Sequence, residues 1–120
     1  MAPPTTPKEV DLAARRGVGW PYQELGTVTI RDSDGVVIDI TASTITGAIR
    51  LSESLDSTQQ TAITITKTAP TAGVFTFKVL AATTAVFTLN RTYFYHILAT
   101  GTWTGSVQKI IMQGQVYVEA

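Results

Sequence analysis

The feature that most constrains this fold is an alternation of apolar and polar residues that begins near residue 24 and continues almost to the C-terminus. In the first run, Val28 and Ile30 fall on one side of an extended chain, while Thr27, Thr29 and Arg31 fall on the other. Side chains alternate between two faces in a β-strand, so the pattern predicts strands that are each buried on one side. The chain has 21 Thr, 11 Val and 10 Ile among its 120 residues, and these β-branched side chains favour strands.

Seven such runs are separated by turn signals, and no run favours a helix of ten residues. The predicted strands are residues 27–31, 36–40, 45–51, 63–66, 75–79, 93–98 and 107–118. Residues 81–89 break the alternation and predict a single helical turn, and Gly114 predicts a bulge in the last strand. The pattern is typical of an antiparallel β-sandwich, with a small barrel as the alternative.

Residues 1–23 differ from the rest in composition and predict an extended N-terminal arm, so that the sandwich domain comprises residues 24–120. Three of the five prolines lie in the first seven residues, and the next nine residues are too few for a stable isolated helix. We expect an arm that is ordered only on assembly.

The arm also carries residue types that are enriched at the centres of protein interfaces. These predicted partner-binding residues are Arg15, Arg16, Trp20 and Tyr22. The alternative for Trp20 is that it packs on its own sandwich, since aromatic side chains contribute as much to cores as to interfaces.

Charge and cysteine content exclude several functions. The formal net charge is zero, which argues against a nucleic-acid coat or a polybasic membrane anchor. No apolar run is long enough to span a membrane, and the N-terminus lacks the apolar core of a signal peptide. Without cysteine there is no disulfide, thiol catalysis or Cys-ligated zinc. We expect a protein that stays in the cytosol or enters a particle assembled there.

The sequence shows no constellation that indicates catalysis, a metal or a cofactor. His96 is the only histidine, and no Gly-x-Ser-x-Gly elbow accompanies it, so we expect His96 to be a hydrogen-bonded structural residue. The acidic run that starts at Asp32 lacks the later ligands of a calcium loop and predicts a tight turn that ends at Gly35. The nine carboxylates show no catalytic pair in sequence, although strands that are distant in sequence can bring two together.

Between Leu25 and Val118 the order of short motifs resembles a family of small virion proteins of tailed phages. The matching pieces are Asp34-Gly35, Ile38-Asp39-Ile40-Thr41, Ala72-Gly73-Val74-Phe75-Thr76-Phe77, Ala82-Thr83-Thr84-Ala85, Tyr93-Phe94-Tyr95-His96-Ile97, Gly105-Ser106-Val107 and Gly114-Gln115-Val116-Tyr117-Val118. The family contains immunoglobulin-like sandwich domains of tail, baseplate-upper and fibre-associated proteins. The chain departs from its pattern at Asn90-Arg91, where a Gly is common, and at His96, where an Asp is usual.

This resemblance implies an immunoglobulin-like sandwich and a non-enzymatic structural role in a phage tail, baseplate or neck. Its partners would be other phage structural proteins, met in several symmetry-related copies within the virion, with no nucleic acid, membrane or cofactor. A capsid decoration protein and a receptor- or carbohydrate-binding module are the alternatives. The last would need exposed aromatic rings and carboxylates clustered at one loop end.

Overall fold

The structure is a computed structural model that describes residues 8–9, 11–12, 14–15, 19–21, 26–32, 34–101 and 107–119. This part of the chain forms eight β-strands, one 3-10 helix and one helical turn. The strands are β1 (Lys8–Glu9), β2 (Ala14–Arg15), β3 (Gly26–Thr29), β4 (Thr44–Arg50), β5 (Gln59–Ala69), β6 (Val74–Lys78), β7 (Thr92–Thr100) and β8 (Lys109–Glu119). The 3-10 helix spans Pro70–Ala72, and the helical turn α1 spans Ala81–Thr84, within the segment where one turn is predicted.

The strands have the hydrogen-bonded order β1-β8-β7-β4-β5-β6-β3, with β2 also paired to β8. Strand β5 divides this order into two layers, because it pairs with β4 up to Ile63 and with β6 from Thr64 onward. The two layers face each other, since the rings of Phe77 on β6 and Tyr95 on β7 stack with centroids 6.5 Å apart although the two strands are not neighbours in the order. The predicted all-β, antiparallel sandwich is confirmed.

The core lies between the layers and is built from the apolar side of each alternating run. Phe75 and Phe77 on β6 are buried, as are Tyr93, Tyr95 and Ile97 on β7. Strand β7 lies between β8 and β4, and His96 and Leu98 on its other face are buried as well. The burial of large aromatic and branched side chains is the main source of stability in a domain of this size.

The predicted strand over residues 36–40 is instead an irregular segment. Its only ladder contact with the described residues is a single bridge between Arg31 and Val37. Ile38 and Ile40 are fully buried as the alternation predicts, but their amides bond to the carbonyls of Ile30 and Pro70, at 3.0 and 2.9 Å. Because these carbonyls accept the hydrogen bonds of the two amides, Ile38 and Ile40 can be buried without belonging to a paired strand.

The bulge in the last strand lies at Ile111 and not at Gly114. Tyr95 pairs regularly with Gly114, but the register shifts where Ile97 pairs with Met112 and Leu98 pairs with Ile110. Ile111 is therefore the extra residue of β8. A β-bulge needs an inserted residue and not a glycine, so the glycine is a poor guide to its position.

The described residues of the N-terminal arm belong to the sandwich. Strand β1 pairs in parallel with β8 at Met112 and Gln113, and β2 pairs in parallel with it at Val118 and Glu119. Ala14 is buried against the core. This corrects the expectation of an arm ordered only on assembly, because β8 of the same chain already satisfies the backbone of these segments.

The acidic turn has the predicted structure. One carboxylate oxygen of Asp32 accepts hydrogen bonds from the amides of Asp34 and Val36, at 2.9 and 3.0 Å. Gly35 has a φ of 82°, a left-handed conformation that favours glycine. The Asp32 carboxylate therefore serves the turn itself.

No helix in the described ranges is both long and apolar enough to cross a membrane.

Candidate functional site

A polar cleft of about 250 Å³ opens on the outer face of the larger layer. Its walls come from β7, β8, the loop after β4 and the N-terminal segment. The lining residues are Asp11, Glu53, Phe94, His96, Gln113, Gly114 and Gln115.

The alternation of two paired strands places the floor of this cleft. Phe94 pairs with Gln115 and His96 pairs with Gln113, so these four side chains leave the sheet on the face opposite Tyr95. Gly114, between the two glutamines, adds no side chain to the floor. The strand register therefore creates the cleft directly.

The N-terminal segment closes one side of the cleft through Asp11. Its carboxylate accepts a hydrogen bond from the amide of Gln115 at 2.9 Å, and the amide of Leu12 donates to the carbonyl of Gln115 at 3.0 Å. Asp11 thus links the N-terminal segment to β8 by a hydrogen bond. Burial, and to a lesser extent the negative charge of Asp11, raise the pKa of Tyr95 on the core side of the sheet.

His96 is almost fully buried, with 4% of its surface exposed. Burial lowers its pKa from the ordinary 6.5, and the positive charge of Arg50 also lowers it. A hydrogen bond to the backbone of Glu53 and the charge of the Glu53 carboxylate act in the opposite direction. The ring is therefore neutral at pH 7, and the expected hydrogen-bonded role is confirmed by the bond to Glu53.

One nitrogen of this ring has no hydrogen-bond partner in the described part of the chain. Nδ1 of His96 is buried and makes no hydrogen bond to any of the described residues. A hydrogen bond that raises the pKa of a histidine is one the ring donates, and the acceptor is the Glu53 carbonyl.

None of the predicted partner-binding residues is among the described residues that line this cleft. Trp20 is 1% exposed and packs against Phe77 and Tyr95, so its assignment to a partner interface is wrong and the alternative of packing on its own sandwich is right. A side chain enclosed by its own core offers no surface to a partner. Arg15 lies on β2, and nothing is described of its side chain. Arg16 and Tyr22 lie outside the described residues.

A second exposed feature surrounds α1. Leu80, Val86 and Leu89 lie within ten residues of one another and expose 59%, 70% and 38% of their surfaces. Where exposed apolar side chains form one contiguous patch, they are typical of surfaces that contact other proteins.

The structure supports no metal centre in the residues it describes, where no three His, Asp or Glu side chains are grouped so that they could hold an ion. It does bring Asp11 and Glu53, 42 positions apart in sequence, to one cleft. The outward alternation of residues 94 and 96 and of residues 113 and 115 could have indicated the floor of this cleft. The approach of Asp11 could not be predicted, because nothing in the sequence pairs the arm with β8.

No family model matches the chain, and no curated protein matches it in sequence. Among solved structures, it is similar to a chain of the crystal structure of ICOS in complex with ICOS-L and an anti ICOS-L VNAR domain. The two share 11% identity with a TM-score of 0.46 over 95% of this chain and 55% of the other, so this chain spans about half the length of its neighbour. A similarity of this size carries no argument about function.

Proposed function

We propose that this chain is a non-enzymatic structural component of a tailed bacteriophage particle, in its tail, baseplate or neck, and that it acts by protein–protein assembly. The order of motifs that resembles phage virion proteins is the reason for naming this class. The observation that carries an assembly role is the exposed apolar surface of Leu80, Val86 and Leu89 around α1.

Several of the motif residues maintain the frame of the sandwich, which fits a structural role. Asp39 accepts hydrogen bonds from the Thr41 amide and hydroxyl, at 2.9 and 2.6 Å, and these bonds lower its pKa. Gly73 adopts a φ of 74° and lies so close to the carbonyl of Ile38 that a Cβ would stand 2.6 Å from it. These motif residues therefore stabilise turns and allow close packing of the backbone.

Asp11 also favours a non-enzymatic role. Its carboxylate accepts a hydrogen bond from the amide of Gln115 and so holds the N-terminal segment on β8, which is a structural role. A glycoside hydrolase needs one carboxylic acid as proton donor and a second carboxylate as base or nucleophile. In this cleft one of the two carboxylates already serves the fold.

Two alternatives remain as outcomes of the test. A capsid decoration protein would use the same apolar surface on a different part of the particle. A receptor- or carbohydrate-binding module is favoured by the presence of Phe94 beside Asp11 and Glu53, although the cleft that they line lies over a sheet face and not at a cluster of loops.

The test is to locate the protein in purified particles. Antibodies against the purified protein should label the tail, baseplate or neck in electron micrographs, at symmetry-related positions. Label on the capsid shell would favour the decoration protein. Absence of the protein from purified particles, measured by mass spectrometry, would refute the proposal.

A further inference from the structure

We propose that the cleft between the N-terminal segment and the loop after β4 binds a neutral sugar ring at the end of a glycan. This binding activity goes beyond the proposed assembly role, because it requires no contact with another protein of the particle. The cleft has a volume of about 250 Å³, below the about 300–1,000 Å³ of pockets for drug-sized ligands, so it suits a single sugar ring. Because the cleft opens on an outer face of the sandwich, the remainder of the glycan can leave it toward solvent.

The polar side chains of the cleft match the hydroxyl groups of a sugar. Asp11 and Glu53 are exposed at its walls and offer carboxylate oxygens as acceptors, although one oxygen of Asp11 already accepts the amide of Gln115. Gln113 and Gln115 leave the same face of β8 two residues apart, and a glutamine side chain can both donate and accept. A sugar hydroxyl also donates and accepts, so neighbouring hydroxyls find partners of both kinds in this cleft.

Phe94 supplies the apolar surface that a sugar ring needs. Its side chain is half-buried, lines the cleft and stands directly opposite Gln115 across the strand pair, so an aromatic ring and a side-chain amide are neighbours. A pyranose presents C–H groups on the faces of its ring and hydroxyls around its rim. When its face packs on Phe94, apolar surface of both is removed from water while the rim reaches the polar side chains.

The charges around the cleft favour a ligand without charge. Arg50 pairs with Phe94 in the ladder between β4 and β7, so its side chain leaves the same face of the sheet, and its positive charge acts on His96. A cationic ligand on the Phe94 ring would be repelled by this charge, and an anionic ligand would be repelled by the carboxylates of Asp11 and Glu53. A neutral sugar avoids both repulsions and keeps its hydrogen bonds.

The test uses the full-length protein labelled with ¹⁵N and the methyl glycosides of glucose, galactose, mannose and N-acetylglucosamine as probes. Titration with at least one of them should shift the backbone amide resonances of residues 53, 94 and 113–115 until they saturate. Sorbitol is the matched control ligand, because it carries the hydroxyls of a hexose without a closed ring. It should bind at least about tenfold more weakly, since it lacks a rigid C–H face and loses more conformational freedom on binding.

Two pairs of variants complete the design. Phe94→Leu keeps an apolar side chain but removes the flat ring, and it should weaken glycoside binding about tenfold. Its control is Tyr117→Leu, since Tyr117 is exposed on β8 and is not among the described residues that line the cleft. Glu53→Gln should also weaken binding about tenfold, because a charged acceptor forms the stronger hydrogen bond. Its control is Asp56→Asn, at an exposed position of the same loop outside the cleft lining. The ¹⁵N spectrum of each variant shows whether it folds, and the exposed position of Glu53 keeps the test decisive if Phe94→Leu does not fold.

Four results would overturn the inference: no shifts at these residues with any of the four glycosides, equal binding of sorbitol, unchanged binding by Glu53→Gln, or shifts with the free sugars but none with their methyl glycosides. The last would assign the cleft to a soluble sugar, because the methyl group stands for the rest of a glycan chain. Particle labelling is measured separately, so failure of sugar binding and failure of the phage assembly role remain distinguishable.

Discussion

The indole of Trp20 meets the ring of Tyr95 edge-on, with the centroids 5.2 Å apart and the planes inclined by 66°. Trp20 also lies 5.5 Å from the ring of Phe77. Phe77 belongs to one layer and Tyr95 to the other, so a residue of the N-terminal segment joins the two layers. The amide and carbonyl of Trp20 add two hydrogen bonds to Val79, at 2.9 and 2.8 Å.

Replacement of this central side chain should be costly. We expect Trp20→Ala to lower the free energy of unfolding by about 3–5 kcal/mol, because it leaves a cavity between the layers. Val86→Ala is the control, since Val86 is 70% exposed, and it should change stability by less than about 0.5 kcal/mol. Urea unfolding measures both, and equal midpoints for the two variants would contradict the position of Trp20.

Alanine substitutions at two glycines of positive φ should distinguish the cost of backbone strain from the cost of a steric clash. Gly35→Ala should lower stability by about 1–2 kcal/mol, the cost of a left-handed conformation, because nothing lies within 4 Å of a Cβ there. Gly73→Ala should cost about 1–3 kcal/mol more, because its Cβ would also collide with the carbonyls of Ile38 and Ile30, at 2.6 and 2.9 Å. Denaturant midpoints measure both losses of stability. An equal loss in the two variants would mean that the backbone around Gly73 shifts to accommodate the Cβ at no cost.

The buried imidazole should make stability depend on pH. Burial lowers the pKa of His96 in the folded state below 6.5, so the unfolded chain takes up the proton first as the pH falls. The contribution of His96 is complete above pH 6.5 and is lost as the pH falls from there toward the folded-state pKa.

The His96→Gln variant isolates this effect. The difference in unfolding free energy between wild type and variant should shrink as the pH falls below 6.5 and stay constant above it. Asp39 does not interfere, because its lowered pKa places its own loss of stability below pH 3.8. A pH-independent difference would show that His96 is not buried as a neutral ring.

The N-terminal segment should stabilise the sandwich and protect its edge. Deletion of residues 1–16 removes the hydrogen bonds of β1, Asp11, Leu12 and β2 to β8, each of which contributes about 0.5–1.5 kcal/mol. It also leaves β8, a strand of 11 residues, with an unpaired edge, which should promote association between molecules.

Deletion of residues 1–7 alone keeps both short strands and serves as the control. Thermal unfolding and size-exclusion chromatography should show a lower midpoint and larger species only for the longer deletion. An unchanged midpoint after removal of residues 1–16 would mean that the parallel pairing with β8 contributes nothing to stability.

Local alternation predicts the strands and their buried faces, but it carries no information about contacts between distant segments. Phe75, Phe77 and Ile97 are buried as their period of two predicts, and Gly35 closes the expected turn. The pairing of the arm with β8 leaves no local signature, since two-residue strands have no periodicity. Trp20 is therefore ambiguous in the sequence, because a tryptophan after a proline-rich segment suits a core and an interface equally well.

The candidate cleft shows the same division between local and distant contacts. Register between β7 and β8 explains why Phe94 and His96 stand beside Gln115 and Gln113, and both strands are evident in the sequence. Glu53 and Asp11 reach the cleft through a loop and through the arm, and no sequence pattern fixes either path. These two residues supply both carboxylates of the cleft.

The parallel pairing of the first strands with the last one has a mechanical consequence. Strands β1 and β2 run in the same direction as β8, so a force that pulls the two chain ends apart slides these strands along each other. Their hydrogen bonds lie across the direction of pull and are loaded together, in shear. An antiparallel pair pulled from adjacent ends would open one bond at a time. This geometry resists tension applied along the chain, and within the described part of the chain that tension falls on the bonds that join β1 and β2 to β8.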